Sequence, residues 1–383
     1  MKVCILTTVH SPFDIRIFHK EAKCLVKAGY DIILIAQYDK EEVVDGIRIV
    51  PLSKPKNRLE RMTRTVRRAH RKAVDTNADI YHLHDPELIP AGLKLKRLGK
   101  KVIFDSHEDV TRQFVGKPYL NRPFRWVIAQ IYGLYETWAC KRFDAIVGAT
   151  PFIREKFLPI NPLTVDINNF PILGELEKTI EWRNKGAEVC YVGGIAAIRG
   201  IRELVKAMSL VKSEARLQLC GALPGSDVEA DVRKSEGWSR VDALGFLDRS
   251  AVRDALARSV AGLVTFLPLP NHIHAQPNKI FEYMSAGIPV IGSHFPLWRE
   301  IIEGNDCGLC VDPLSPKAIA EAIDFLVTHP DRAREMGANG LLAIQNRYNW
   351  SREEQKLLRL YEMLSQGNPI SDGSAKALSE QWN

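Results

Sequence analysis

The sequence predicts an α/β protein made of two doubly wound parallel sheets, and three observations predict it. Short apolar runs recur from end to end and are continuous rather than alternating, as strands buried on both faces are. Helix-length amphipathic segments separate them, which is the rhythm of βα units. The chain has 383 residues, more than a single hydrophobic core of this kind organises.

Taken in order, residues 3–8 are the first strand, 15–28 a helix closed by Gly29, and 31–36 the next strand. Strand-type runs follow at 80–84, 101–105 and 145–148, then in a second series at 188–192, 216–220, 262–266 and 289–292. The pattern breaks between the two series. The expected organisation is a first domain over 1–170, a linker over 171–186 and a second domain over 187–347. A C-terminal helix over 348–365 packs back toward the first domain, and a polar, flexible tail runs over 366–383. No GxGxxG follows the first strand, and 194–200 lacks the GK[ST] ending of a P-loop, which argues against a dehydrogenase or a nucleoside triphosphatase.

Composition narrows the class further. Apolar residues make up 45% and charged residues 26%, which excludes disorder, collagen and coiled coil. No stretch is apolar for the ~18 residues of a membrane span, and the N-terminus reads as a strand rather than a signal peptide. Seven scattered cysteines, with only Cys307 and Cys310 as a CxxC and no second pair, read as free or structural thiols in a reducing cytoplasm. Net charge is +7 and uneven: residues 1–170 hold 29 basic against 19 acidic side chains. The first half therefore expects an anionic surface or ligand that the second does not.

The densest chemical signal is QPNKIFEYMSAGIPVIGS at 276–293. Pro277 and Asn278 open a helix, Lys279 sits in its first turn and Glu282 follows one turn on. Free amides at a helix start bind anions, a lysine there suits a diphosphate, and a carboxylate on the same face accepts two ribose hydroxyls. An ordinary helix start carrying a surface Lys–Glu pair fits the spacing too.

This block resembles the donor-binding helix of retaining, GT-B-fold glycosyltransferases of family 4, in the branch where P-x-K-x-x-E-Y-M-x-x-G-x-P-V replaces E-x7-E. Further segments agree in order: FDIRIFHKEAKCLVKAGYDI, HDPELIPAGLKLKRLGKKVIFDSHED, YVGGIAAIRGIRELVKAM, LCGALPG, LGFLDRSAVRDAL, GLCVDP and RYNW. The resemblance implies two Rossmann-like domains facing across a deep cleft, a nucleotide diphosphate-sugar donor held mainly by the second domain, and no cofactor or metal. Glu282 matches the ribose-binding glutamate, and the amides of Asn278 and Lys279 match the diphosphate contacts. Arg199 matches the basic residue after the first strand of the second domain, close to Gly193. Phe246 matches the position that meets the base. Two departures stand out. Gly194 occupies the place of a second arginine, so that Lys279 would supply the missing charge. His274 stands where the first glutamate of E-x7-E holds the donor sugar. His272 and His274 as a metal pair is the competing reading, with no nearby carboxylate or cysteine to complete it.

In the first domain, His107 within Asp105-Ser106-His107-Glu108-Asp109 matches the histidine that such enzymes aim at the reacting sugar; a turn histidine is the plain alternative. With Arg199, Lys279 and Glu282 it makes up the expected catalytic set. His10–Asp14 replaces the glycine-rich turn of the family, and Asp14, Arg16, His84, Asp105 and Glu108 are expected on the acceptor side. Residues 54–72 carry nine cations against Glu60 alone, with Leu59, Met62, Val66, Ala69 and Ala73 on one helical stripe. Residues 112–138 mix Trp126, Tyr132, Tyr135 and Trp138 with Arg112, Lys117, Arg122 and Arg125. Both stretches suit an anionic membrane surface, and nothing resembles a nucleic-acid module. The function expected is a hexosyltransferase using UDP more readily than GDP. Its acceptor is expected to be a polyprenyl-diphosphate-linked saccharide for surface polysaccharide, at the inner face of the cytoplasmic membrane. A GT-B-fold nucleotide-sugar epimerase and a catalytically silent membrane-docking partner subunit are the alternatives.

Overall fold

The structure, a computed structural model, describes residues 1–115, 122–178, 180–225 and 227–366, the side chains of 113–115 and 122–125 excepted. The sequence-expected tail after Gln366 and the expected contributions of Lys117, Arg122 and Arg125 lie outside the described residues. Two units compose it: Met1–Asn169 together with the chain from Trp350, and Phe170–Asn349.

The first unit is an eight-stranded sheet of β1 (Lys2–Leu6), β2 (Asp31–Gln37), β3 (Glu42–Val44), β4 (Ile47–Leu52), β5 (Ile80–Leu83), β6 (Lys101–Ser106), β7 (Ala145–Gly148) and β8 (Thr164–Asp166). Their order is β3-β4-β2-β1-β5-β6-β7-β8, and every pairing except β3 with β4 is parallel. Alternate residues of one strand enter different cores: Val3 and Ile5 pack on one face, Cys4 and Leu6 on the other. That two-sided burial is why the strands are apolar without alternation. The winding reverses between β1 and β5, which opens a crevice at the carboxyl ends of the strands.

The helix Trp350–Gln366 belongs to this unit and buries Trp350, Leu357, Leu360, Tyr361 and Leu364 among the β1, β2 and β8 side chains. Each large side chain buried there contributes about 1.5–3 kcal/mol. The segments Arg58–Glu60, Arg61–Thr65 and Val66–Thr76 run on without a break. The structure corrects the expected stripe on them: Val66, Ala69 and Ala73 are buried, but Leu59 is 73% and Met62 50% exposed. The strands β1, β2 and β4 are packed by the Val66–Thr76 part, so the first turns have no sheet beneath them.

The second unit holds β9 (Glu188–Val192), β10 (Arg216–Cys220), β11 (Val241–Gly245), β12 (Ala261–Val264), β13 (Val290–Ser293) and β14 (Gly308–Val311). The order is β11-β10-β9-β12-β13-β14, all parallel, with its reversal between β9 and β12. Residues 171–186 do not behave as a free linker. Leu176 is buried in one core cluster of this unit, and Trp182 packs against another. All seven cysteines are free thiols. No described helix is long and apolar enough to cross a membrane.

Candidate functional site

In the second unit the site forms at the β9/β12 reversal. After Val192 the chain turns through Gly193 at φ 109°. A Cβ on Gly193 would lie 2.6 Å from Lys279 Nζ, and one on Gly194 would lie 2.6 Å from Arg199 Nη1. Both positions are bare of side chain because a cation passes over each. Gly194 thus does more than omit an arginine: its missing side chain gives Arg199 its place.

Lys279 lies in the first turn of the helix Asn278–Ser285, only 8% exposed. Its ammonium sits 4.9 Å from the Tyr191 ring and 5.9 Å from that of Phe266. Arg199 is 5.5 Å from the Phe266 ring and donates from Nη1 to the Gly194 carbonyl at 2.9 Å. Among the described residues, no carboxylate lies within ion-pair distance of either cation. Burial, then the Arg199 charge, pushes the Lys279 ammonium down to about 8. Two neighbouring cations without a counter-ion are a site charged for an anion.

Glu282 stands one turn along. Its Oε1 accepts from Arg249 Nη1 at 2.6 Å, and Arg249 Nε donates to Glu175 Oε1 at 2.7 Å. Arg249 and Glu175 escaped the sequence reading, since no spacing links residues 175, 249 and 282. Only Asp248 capping the helix Arg249–Arg258 was locally visible. Phe246 is 85% exposed just after β11. In the loop before Asn278, His272 is pinned by its Nδ1 on the Leu267 carbonyl at 2.9 Å, while His274 is half-buried. Among the described residues, no group of three or more metal-ligating side chains includes either histidine.

The first unit's crevice has the opposite electrical character. His84 Nδ1 and His107 Nε2 lie 3.1 Å apart. Behind them Arg16 is 4% exposed, with Nη2 donating to Asp105 Oδ2 at 2.8 Å, Nε 2.9 Å from Glu21 Oε1, and Nη1 donating to the Ile167 carbonyl at 2.6 Å. His82 stacks on His84 at 4.5 Å between ring centres, and its Nδ1 meets the Tyr361 hydroxyl at 2.9 Å. Burial keeps His82 down at about 4 and His84 well below its ordinary range, so both are neutral. Glu21, His82, His84 and Asp105 could each turn a ligand atom toward one metal ion. The Arg16 guanidinium already stands against both carboxyl groups.

This arrangement corrects the acceptor-side expectation. Arg16, Asp105 and His84 are all buried, so they hold the floor of the crevice. His107, with 21% of its side chain exposed, is the histidine they present. Asp14 accepts from the amides of Arg16 and Ile17, capping the helix that carries Arg16. Its other oxygen lies 3.3 Å from His10 Nδ1. Glu108 is exposed, and Asp109 is tied to Lys156 at 2.9 Å.

Both units resemble known proteins. A family model described as Glycosyltransferase Family 4 matches residues 15–163, and one described as Glycosyl transferases group 1 matches 186–329. Phosphatidyl-myo-inositol mannosyltransferase of Mycobacterium leprae is 22% identical over 90% of this chain and 89% of its own. The chain spans about half the length of the first curated relatives it matches. Among solved structures, sucrose-phosphate synthase from Thermosynechococcus elongatus superposes with a TM-score of 0.79 at 19% identity, over 96% of this chain and 100% of the other. HepE of Anabaena, solved with UDP and glucose, gives 0.73 at 14% identity, over 95% and 100%. At such identities these structures establish the fold.

Proposed function

This chain belongs to the family 4 glycosyltransferases of GT-B fold, and we propose that it moves a hexose from a nucleoside diphosphate-sugar, UDP before GDP, to a lipid-linked saccharide acceptor with retention of configuration. The observation that carries this reading is the pair of cations without counter-ions, Arg199 and Lys279, over the bare glycines 193 and 194 at a helix start. A diphosphate brings the negative charge that this place lacks. HepE was solved with UDP and glucose, and the mycobacterial relative acts on a phosphatidyl-inositol lipid by its name.

The chemistry asks for positioning and charge more than for a nucleophile. Arg199, Lys279 and the amides of Asn278 and Lys279 stabilise the diphosphate as the glycosidic bond breaks. A leaving phosphate oxygen takes the acceptor proton on the face it departs from. Glu282, its rotamer fixed by Arg249, receives the ribose hydroxyls, Phe246 meets the base, and His107 contacts the reacting sugar. No metal or cofactor is invoked, since the cations do that work.

Peripheral docking on an anionic membrane belongs to the same proposal. Exposed Leu59 and Met62 sit among exposed Lys54, Lys56, Arg58 and Arg64. On the helix Arg122–Cys140, Val127, Ile131, Leu134 and Trp138 form an exposed apolar stripe at helical spacing. Apolar groups within a cationic field are what an anionic lipid interface binds.

Calorimetric screening of UDP-, GDP- and dTDP-sugars, then acceptor trials with lipid-linked sugars, tests the assignment. Micromolar binding of one UDP-sugar with transfer to a lipid-linked acceptor is expected. Absence of binding by every nucleoside diphosphate would overturn it.

A further inference from the structure

Glu21 is wholly buried, and neither of its carboxyl oxygens receives a hydrogen bond. Its neighbour Arg16 has Nε within 2.9 Å of Oε1, yet the hydrogens are aimed elsewhere. Nε and Nη2 donate to Asp105 Oδ2 at 3.3 and 2.8 Å, and Nη1 donates to the Ile167 carbonyl. Two carboxyl groups therefore share one guanidinium in a region closed to water. One guanidinium balances one carboxylate, and a second charge without a donor in such a place is far less stable than the neutral acid. Asp105 has the donors, so Glu21 is the acid. In agreement, burial pushes the Glu21 carboxyl well above the usual range, while at Asp105 burial is outweighed by Arg16, His107 and His84 together, which hold it well below.

A buried O–H needs an acceptor. His84 Nε2 lies 3.5 Å from Glu21 Oε2 and is likewise buried without a hydrogen bond. One hydrogen between them satisfies both atoms. The groups facing Glu21 from other elements leave this pairing open. Arg16 takes Asp105 Oδ2, but Asp105 Oδ1 also lacks a hydrogen bond and competes for the Glu21 hydrogen; a hydrogen given there would leave His84 to carry its own on Nε2, the outcome the spectra below distinguish. The Tyr361 hydroxyl is committed to His82; on its own helix Asp14 is spent on the cap and on His10, and Cys24 is a buried thiol. A neutral His84 that accepts at Nε2 carries its hydrogen on Nδ1, and that nitrogen meets His107 Nε2 at 3.1 Å, nearer than Asp105 Oδ2 at 3.4 Å, while Asp105 Oδ2 stands 3.7 Å from His107 Nε2. His107 then accepts at Nε2 and, when neutral, carries its own hydrogen on Nδ1.

We infer that Glu21 is a buried neutral acid which, through His84, fixes the tautomer of His107 so that His107 offers an N–H from Nδ1 to the substrate. Glu21 and His84 are positioning residues in this scheme, and the role of His107 rests on the glycosyltransferase reading above. Glu21 stands 86 positions before the histidine it governs.

The tautomers are read directly from two-bond nitrogen–proton correlation spectra of protein labelled with 15N-histidine, with His84→Asn and His107→Asn used for assignment. Both rings are expected in the Nδ1–H form in the wild type. Glu21→Gln should keep them so, since its amide N–H takes over the donation to His84, and should leave the melting temperature unchanged. Glu21→Met should shift both rings to the Nε2–H form and lower kcat about tenfold at unchanged KM for the nucleotide-sugar, with Glu21→Gln near wild type. A wild-type His107 carrying its hydrogen on Nε2, or Glu21→Gln as damaging as Glu21→Met, would overturn the inference. If Glu21→Met does not fold, the wild-type and Glu21→Gln spectra decide alone. The spectra need no turnover, so they stand or fall apart from the glycosyltransferase reading.

Discussion

The two crevices occupy the same place in two copies of one architecture, at the reversal of winding beside the unit's first strand, yet their charges are managed in opposite ways. In the second unit Arg199 and Lys279 are held close together with no carboxylate among the described residues in ion-pair range. In the first, Arg16 and Asp105 compensate one another behind His107, and burial keeps Glu21, His82 and His84 neutral beside them. The difference teaches how to tell a binding site from its scaffold within one fold. Charges left without partners await a ligand, and charges fully partnered in the dark hold another group in position.

The comparison breaks most sharply under substitution of the central cation in each. Arg16→Met removes the one partner of a buried carboxylate, and loss of one member of such a pair costs about 3–5 kcal/mol. Chemical denaturation should show that loss. Lys279→Ala removes a desolvated cation that no carboxylate balances, so its melting temperature should hold or rise. Activity should behave in reverse, with kcat/KM for the nucleotide-sugar falling about 10²–10³-fold in Lys279→Ala and comparably in Glu282→Ala. Equal destabilisation by Arg16→Met and Lys279→Ala would erase the distinction between the two crevices. Full activity in both Lys279→Ala and Glu282→Ala would sink the assignment itself.

Next in size is a steric version of the same test. Gly194→Ala places a methyl 2.6 Å from Arg199 Nη1, so the guanidinium must leave its seat. Donor affinity should fall about tenfold, the worth of one displaced charge-assisted contact, while circular dichroism stays native.

A smaller effect comes from pH. Lys279 has its ammonium lowered from 10.5 to about 8. It is therefore cationic below pH 8 and loses charge above it, while Arg199 beside it stays charged throughout. Affinity for a nucleoside diphosphate-sugar, whose two diphosphate charges are fixed across this range, should weaken as pH rises through 8. Lys279→Arg should flatten that slope. The stability linkage has the opposite sense: between about 8 and 10.5 the unfolded chain binds the extra proton, so the fold gains stability as pH rises there. Titration calorimetry from pH 7 to 9.5 reads the first effect.

The sequence made visible whatever is local. Strands with both faces buried announce themselves as apolar runs, and Lys279 and Glu282 share three residues of one helix. Elements whose physics is not local stayed hidden. β4, IRIVPL, alternates and contains Pro51, tolerated because β3 pairs only with its first half and leaves that edge open. β11 is a half-exposed edge strand, and β3 and β8 have three residues each. The floor of the first crevice draws on residues 16, 21, 82, 84, 105 and 361, brought together by strand order and by two helices packed on the sheet. Arg16 looked like an acceptor contact because its charge was legible and its burial was not.

The smallest effect on the fold separates these crevices from the surface that would bring them to an acceptor. Leu59 and Met62 look like core residues by their helical spacing, yet they remain exposed. Leu59→Ser with Met62→Ser should therefore change unfolding free energy by less than about 0.5 kcal/mol per site. On an ordinary solvated face nothing else would change. On a membrane-docking face the same pair of changes should lower sedimentation with vesicles of about 15% anionic lipid several-fold. Transfer to a lipid-linked acceptor should weaken with it, while hydrolysis or binding of the soluble donor stays as in the wild type. Equal recovery of wild type and variant on anionic and neutral vesicles would return the basic helix to an ordinary surface and leave both crevices as they are.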